Sequence, residues 1–224
     1  RAQGGYPGPR PPGPKGREGG ARGEAEQVVC EAGARGEAEQ VVREAVARAR
    51  GVHPLDCALD LGIESKLEAR FRTTIMNFDE EIVGRLLRDP HMVLGLSDAG
   101  AHASQLCDAC FSTYLLGHWV RERGVLELPE AVRMLTSRPA EVFGLSDRGL
   151  LAEGRAADLV LFDPDTVASG ELRRVYDMPG GADRLVVDAT GIDLVMVNGT
   201  VIRRDGQDTV SPGDDMPGRL LRHG

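Results

Sequence analysis

"HMVLGLSDAGAH" (residues 91–102) is the stretch whose reading decides the fold. An apolar run ending Leu94-Gly95-Leu96 stops at Ser97-Asp98, and small residues follow before His102. The run does not alternate, so it reads as a strand buried on both faces, as in a parallel sheet. Just upstream, "FRTTIMNF" (71–78) is rich in β-branched and aromatic residues and reads as another strand. Between them, "DEEIVGRLLRD" (79–89) reads as a helix, with acids at its first turn and Arg85 and Arg88 near its end, which suits the helix dipole. Strand, helix and strand form a βαβ unit. In a parallel α/β fold the carboxyl ends of strands face the active site. Asp98 at such an end has two readings. It is a general acid/base that takes a proton from a nucleophilic water and passes it to a leaving group, or it is an N-cap or turn residue ahead of a helix. His102 is either its neighbour in the same cavity or a loop histidine.

Downstream, "SQLCDACFSTYLLGHWVRER" (104–123) reads as one long helix closed by Gly124. "PEAVRMLT" (129–136) reads as a second helix with Pro129 at its start, and "RPAEVFGL" as a third, stopped by Gly144. The texture turns all-β from Leu150. "ADLVLFD" (157–163) is a strand, and "DLVMVNGTVIRRDG" (193–206) is a hairpin with Asn198-Gly199 as a type I′ turn. Asp205-Gly206 makes a second turn before a short strand at "DTV". Upstream, "HPLDCALDLGIE" (53–64) reads as a short amphipathic helix with Leu55, Ala58 and Leu59 along one side.

The start of the chain is different. Residues 1–20 hold seven glycines and five prolines, a composition that cannot bury apolar surface. A 13-residue repeat follows, "ARGEAEQVVCEAG" (21–33) and "ARGEAEQVVREAV" (34–46), which reads as a solvated helix or recently duplicated filler rather than a binding element. Residues 1–50 are thus expected to be a disordered or helical extension. The net charge of −8 excludes a nucleic-acid binder driven by overall basicity. No apolar run reaches the ~18 residues of a membrane span. No signal segment opens the chain, so the expected location is cytoplasmic. Four cysteines (Cys30, Cys57, Cys107 and Cys110) do not suggest a disulfide scaffold. Cys107 and Cys110 offer two ligands where a structural zinc site needs four, so they read as interior packing on a helix. His118 and Trp119 either line a cleft or belong to a helix with Trp119 inward and its arginines solvated.

"LGLSDAGAH", with the run from Thr113 to Val167 that contains "GLLAEGRAADLVLFDPD" (149–165), resembles the C-terminal part of the N-acyl-D-amino-acid deacylases, or D-aminoacylases, of the amidohydrolase superfamily. "VVDATGIDLVMVNGTVIRRDG" (186–206) resembles that family's small β-domain. The likeness covers about residues 52–222. It implies an α/β fold, with the last βα units of a TIM-like barrel at 52–148 and a β-domain at 149–222. It implies a metal-dependent amide hydrolase acting on small N-acyl amino acids, with one or two zinc ions. Asp98, after the last barrel strand, is then the catalytic proton shuttle and a candidate metal ligand, with His102 as candidate neighbour. The roles of His102 and His118 do not follow from the resemblance.

The family pattern is incomplete here. A full barrel needs about 250 residues. The family's His-x-His pair is absent from the five histidines, His53, His91, His102, His118 and His223. The chain therefore reads as a C-terminal fragment, inactive alone because the main metal ligands are missing. The alternative is a non-catalytic remnant or interaction module made of a β-domain and two βα units.

Overall fold

The structure is a computed structural model and describes residues 46–67, 69–71 and 76–221. The expected extension up to residue 45, both copies of the repeat save Val46, and half of the expected strand at 71–78 lie outside the described residues. The chain divides into two compact units, Arg1–Thr74 and Ile75–Gly224.

In the first unit, residues 46–50 are helical and α1 spans Pro54–Glu64. Proline suits the first helical position, where its missing N–H is not needed. His53 caps the helix, its Nδ1 accepting from the Leu55 N–H at 3.2 Å. The buried side is Cys57 with Leu61, packed on Val46 and Ala47. The expected side is not the inward one: Leu55 and Leu59 are exposed, and with Ile63 they form a stripe on the outer face. Apolar residues three and four apart mark a face but do not say what covers it.

The second unit opens with α2 (Glu80–Leu87). As the sequence suggests, acids fill its first turn, and Asp79 accepts from the Ile82 N–H at 3.0 Å. The expected strand at 91–97 is not formed: residues 92–98 lie in neither helix nor strand, and Leu96 is 86% exposed. A buried parallel strand needs ladder partners on both sides, and among the described residues none pairs with this segment. The expected helix at 104–123 begins only at Phe111. Residues 99–105 are turns, α3 is Phe111–Tyr114, and a π-helix runs on through Leu115–Glu122. α4 (Leu128–Leu135) and α5 (Ser137–Phe143) follow, and Gly144 stops α5 at φ 68°, the left-handed cap that glycine adopts freely.

The β part has two sheets. β1 (Leu159–Phe162), β4 (Ile192–Val197), β5 (Thr200–Arg204) and β6 (Gln207–Asp208) pair antiparallel in the order β1-β4-β5-β6. β2 (Ala168–Val175) and β3 (Arg184–Thr190) make a separate antiparallel ribbon that the sequence reading did not foresee. The Asn198-Gly199 turn has positive φ at both residues, 47° and 83°, as type I′ demands. One core joins helices to sheets: Leu115, Leu116 and Trp119 pack with Ala131, Met134 and Val167, and Phe162 and Ile192 lean on them.

Candidate functional site

Asp98 is exposed and begins a turn rather than a helix. Its carbonyl accepts from the Ala101 N–H at 3.1 Å, and the next helix begins ten residues after the turn closes, at Phe111. The helix-cap reading therefore fails, while the turn reading agrees with the structure. The Asp98 N–H donates to Asp108 Oδ2 at 3.1 Å. His102 is exposed too, with φ 52°, an uncommon conformation outside glycine. Its carbonyl accepts from the N–H groups of Gln105 and Leu106 at 2.7 and 3.1 Å, so a second turn follows the first. The loop leans on the ribbon: Leu185 N–H donates to the Ala103 carbonyl at 2.8 Å, and Arg174 Nη1 to the Ser104 carbonyl at 3.0 Å.

Cys107 and Cys110 close this loop. Neither lies inside a helix, which corrects the expectation of interior helical packing: Cys107 precedes the helix and Cys110 stands at its N-cap. Both are half-buried free thiols. Burial pushes the Cys107 thiol above its ordinary range, and the neighbouring Cys110 adds to this. The Cys110 carbonyl accepts from Thr113 Oγ1 at 3.0 Å and Ser169 Oγ at 3.2 Å, which ties the helix start to β2.

A second polar cluster lies away from that loop in the sequence. His118, buried within the π-helix, has Nδ1 at 2.9 Å from Glu122 Oε2 and Nε2 at 2.9 Å from Glu80 Oε1. Its ring stacks on Tyr114 at 4.6 Å and meets Trp119 edge-on at 5.1 Å. Arg123 also pairs with Glu80, at 2.7 Å. Trp119 points inward as expected, while Arg121 is exposed and reaches the Pro164 carbonyl at 3.3 Å. The His118 nitrogens face two carboxylates on opposite sides of the ring, so this cluster is a clasp between α2 and the π-helix, not a cleft.

A zinc site is what the family resemblance implies. Among the described residues no three His, Cys, Asp or Glu side chains are placed to hold a metal ion together. Near Asp98 the Asp108 carboxylate accepts its N–H, and among the described residues no group of three potential ligands forms around the two. The described residues therefore do not fit zinc. The sequence reading missed Asp108. No periodicity links positions ten apart, and only the fold of the loop brings Asp108 to Asp98.

The Amidohydrolase family model matches residues 11–203. The chain belongs to the amidohydrolase family, on its D-aminoacylase side. It is 42% identical to the N-acyl-D-glutamate deacylase of Alcaligenes xylosoxydans xylosoxydans over 110 residues, 49% of this chain and 20% of that protein. It is 36% identical to the D-aminoacylase of the same organism over 126 residues, 55% of this chain and 24% of that protein. Among solved structures it is similar to the N-acyl-D-glutamate deacylase from Bordetella bronchiseptica, complexed with zinc and a phosphonate inhibitor that mimics the reaction's tetrahedral intermediate. The identity there is 38% and the TM-score 0.38, over 49% of this chain and 20% of that one. The chain spans about a fifth to a quarter of the length of these relatives. Among the described residues no helix is long and apolar enough to cross a membrane.

Proposed function

We propose that this chain serves a metal-dependent amide hydrolase that removes the acyl group from N-acylated D-amino acids. Residues 52–148 contribute the last βα units of an amidohydrolase barrel, 149–222 its small β-domain, and 1–50 an extension. The observation that carries this reading is the 42% identity to an N-acyl-D-glutamate deacylase. The zinc in the Bordetella bronchiseptica relative accords with the metal dependence. In the reaction, the oxygen of a water bonds to the acyl carbon while its proton passes to the Asp98 carboxylate. The carbon–nitrogen bond then breaks as Asp98 returns the proton to the departing amine, giving a carboxylate and a free amino acid. Asp98 suits this part because it is exposed and sits on a loop bound to the ribbon.

The second reading, a non-catalytic module, is the one to weigh against it, since among the described residues no three potential ligands gather to hold a metal ion. One experiment serves both: turnover of an N-acyl-D-amino acid by the full-length, metal-loaded enzyme that contains this chain, wild type and Asp98→Asn. Asparagine keeps the shape of aspartate but cannot carry the proton. Turnover should fall about 10²- to 10⁴-fold with the melting temperature unchanged. Activity within a few-fold of wild type would end the proton-shuttle assignment. No wild-type turnover with bound metal would leave the module reading in place.

A further inference from the structure

The loop from Asp98 to Asp108 is fastened at its tip and at its neck. At the tip, the carbonyls of Ala103 and Ser104 accept from Leu185 and Arg174 of the ribbon. At the neck, Asp108 Oδ2 accepts the Asp98 N–H at 3.1 Å. Asp108 is itself anchored, because its carbonyl accepts the Phe111 N–H at 3.1 Å at the start of α3. From there α3 runs into the π-helix, whose Leu115, Leu116 and Trp119 lie in the core. A continuous line of contacts thus runs from the core through Asp108 to the main chain of Asp98.

A group that passes a proton must be held where donor and acceptor meet, and misplacement of about 1 Å can cost about 10²-fold in rate. The two turns, with Gly100 at φ 94° and His102 at φ 52°, leave Asp98 on a segment with neither helix nor strand to hold it. The bond from Asp108 restrains the Asp98 amide plane, from which the Asp98 side chain departs, and so narrows the positions its carboxylate can take. A carboxylate acceptor makes this bond stronger than a neutral one would. We infer that Asp108 is the positioning residue of Asp98, setting its carboxylate through the main chain without touching substrate. This rests on the proton-shuttle reading of Asp98 and adds to it the residue that aims the shuttle.

The test has two arms. In the 224-residue chain, amide hydrogen exchange at Asp98 is compared between wild type, Asp108→Asn and Asp108→Ala. Asparagine still offers an oxygen and should keep the protection, whereas alanine should speed exchange at least several-fold. Unchanged exchange in the alanine variant would overturn the inference. In the active protein, Asp108→Ala should lower kcat about 10- to 100-fold with KM nearly constant, and Asp108→Asn should restore most of it. Added to Asp98→Asn, Asp108→Ala should lower the rate no further, since it acts through Asp98. A full additive loss, or a loss that asparagine does not rescue, would mark Asp108 as merely structural. If Asp98→Asn alone leaves turnover intact, the shuttle reading and this inference both fall. If Asp98→Asn is crippled and Asp108→Ala is not, only this inference falls.

Discussion

His118 shows how one side chain can join two elements. It is 8% exposed, and its two nitrogens meet Glu80 of α2 and Glu122 of the π-helix, both at 2.9 Å. The carboxylates are half-exposed, and Glu80 also has Arg123, so the clasp is worth less than a fully buried pair. His118→Leu keeps bulk but removes both contacts. It should lower stability by about 1–2 kcal/mol, read as a shift of the urea midpoint at constant slope. An unchanged midpoint would show that the clasp adds nothing. Much of this scale could be read from the sequence only by halves. An inward Trp119 is one of the two readings that the sequence allows, the other placing it in a cleft. The partner of His118 at Glu80 lies 38 residues away, and no local rule reports it. Asp98 stood out because an apolar run ended on it, whereas Asp108 offered no pattern at all.

Among the elements, the π-helix over Leu115–Glu122 holds the unit together at close range. A Cβ on Gly117 would stand 2.7 Å from the Val167 carbonyl oxygen and 3.1 Å from Ala168 Cα. The obstacle is backbone from the start of β2, which cannot swing aside like a side-chain tip. Alanine is a better helix former than glycine by about 1 kcal/mol, so the sign of Gly117→Ala is a direct test of that contact. The clash should win, with a net loss of about 1–3 kcal/mol in thermal or urea unfolding. A stabilised variant would mean that helix and strand stand further apart. The elements that the sequence foretold carry local signals: acids and a cap at α2, Gly144 after α5, Asn198-Gly199 in the hairpin. β2 and β3 escaped because "ASGELRRV" and "RLVVDAT" mix charges among their apolar residues. The expected strand at 91–97 failed for the opposite reason: apolar enough, it has no neighbour among the described residues to pair with. A π-helix of eight residues and an α-helix place their apolar residues too alike to be told apart by spacing.

For the molecule as a whole, several carboxylates of the second unit are held below their ordinary range by hydrogen-bonded cationic neighbours. Arg133 does this to Glu130, Arg148 to Asp147 and Arg184 to Asp177. A carboxyl group with a lowered folded value stabilises the fold above the unfolded value, about 4. That contribution is lost as pH falls through the folded value. Stability should therefore be level above about pH 5 and decline below about pH 4. These pairs lie at the surface, so the decline should be modest and should flatten in 1 M salt, where screening acts within about 3 Å. Urea midpoints measured from neutral to acid pH at low and high salt would decide it. An acid limb indifferent to salt would assign the loss to groups other than these pairs.

The hairpin turn has a bearing on how the protein ages. An asparagine followed by glycine is chemically fragile, because the glycine nitrogen can attack the side-chain amide carbon and expel ammonia. Here the Gly199 N–H is engaged with the Ala157 carbonyl at 2.9 Å, and Asn198 Nδ2 with the Pro217 carbonyl at 2.6 Å. Attacking and leaving groups are both held in place by β1's approach and the C-terminal segment. Isoaspartate should accumulate slowly at Asn198 in the folded chain and quickly in urea, and equal rates would show that the turn gives no protection. The lifetime of the turn would then be set by how often the strands around it open.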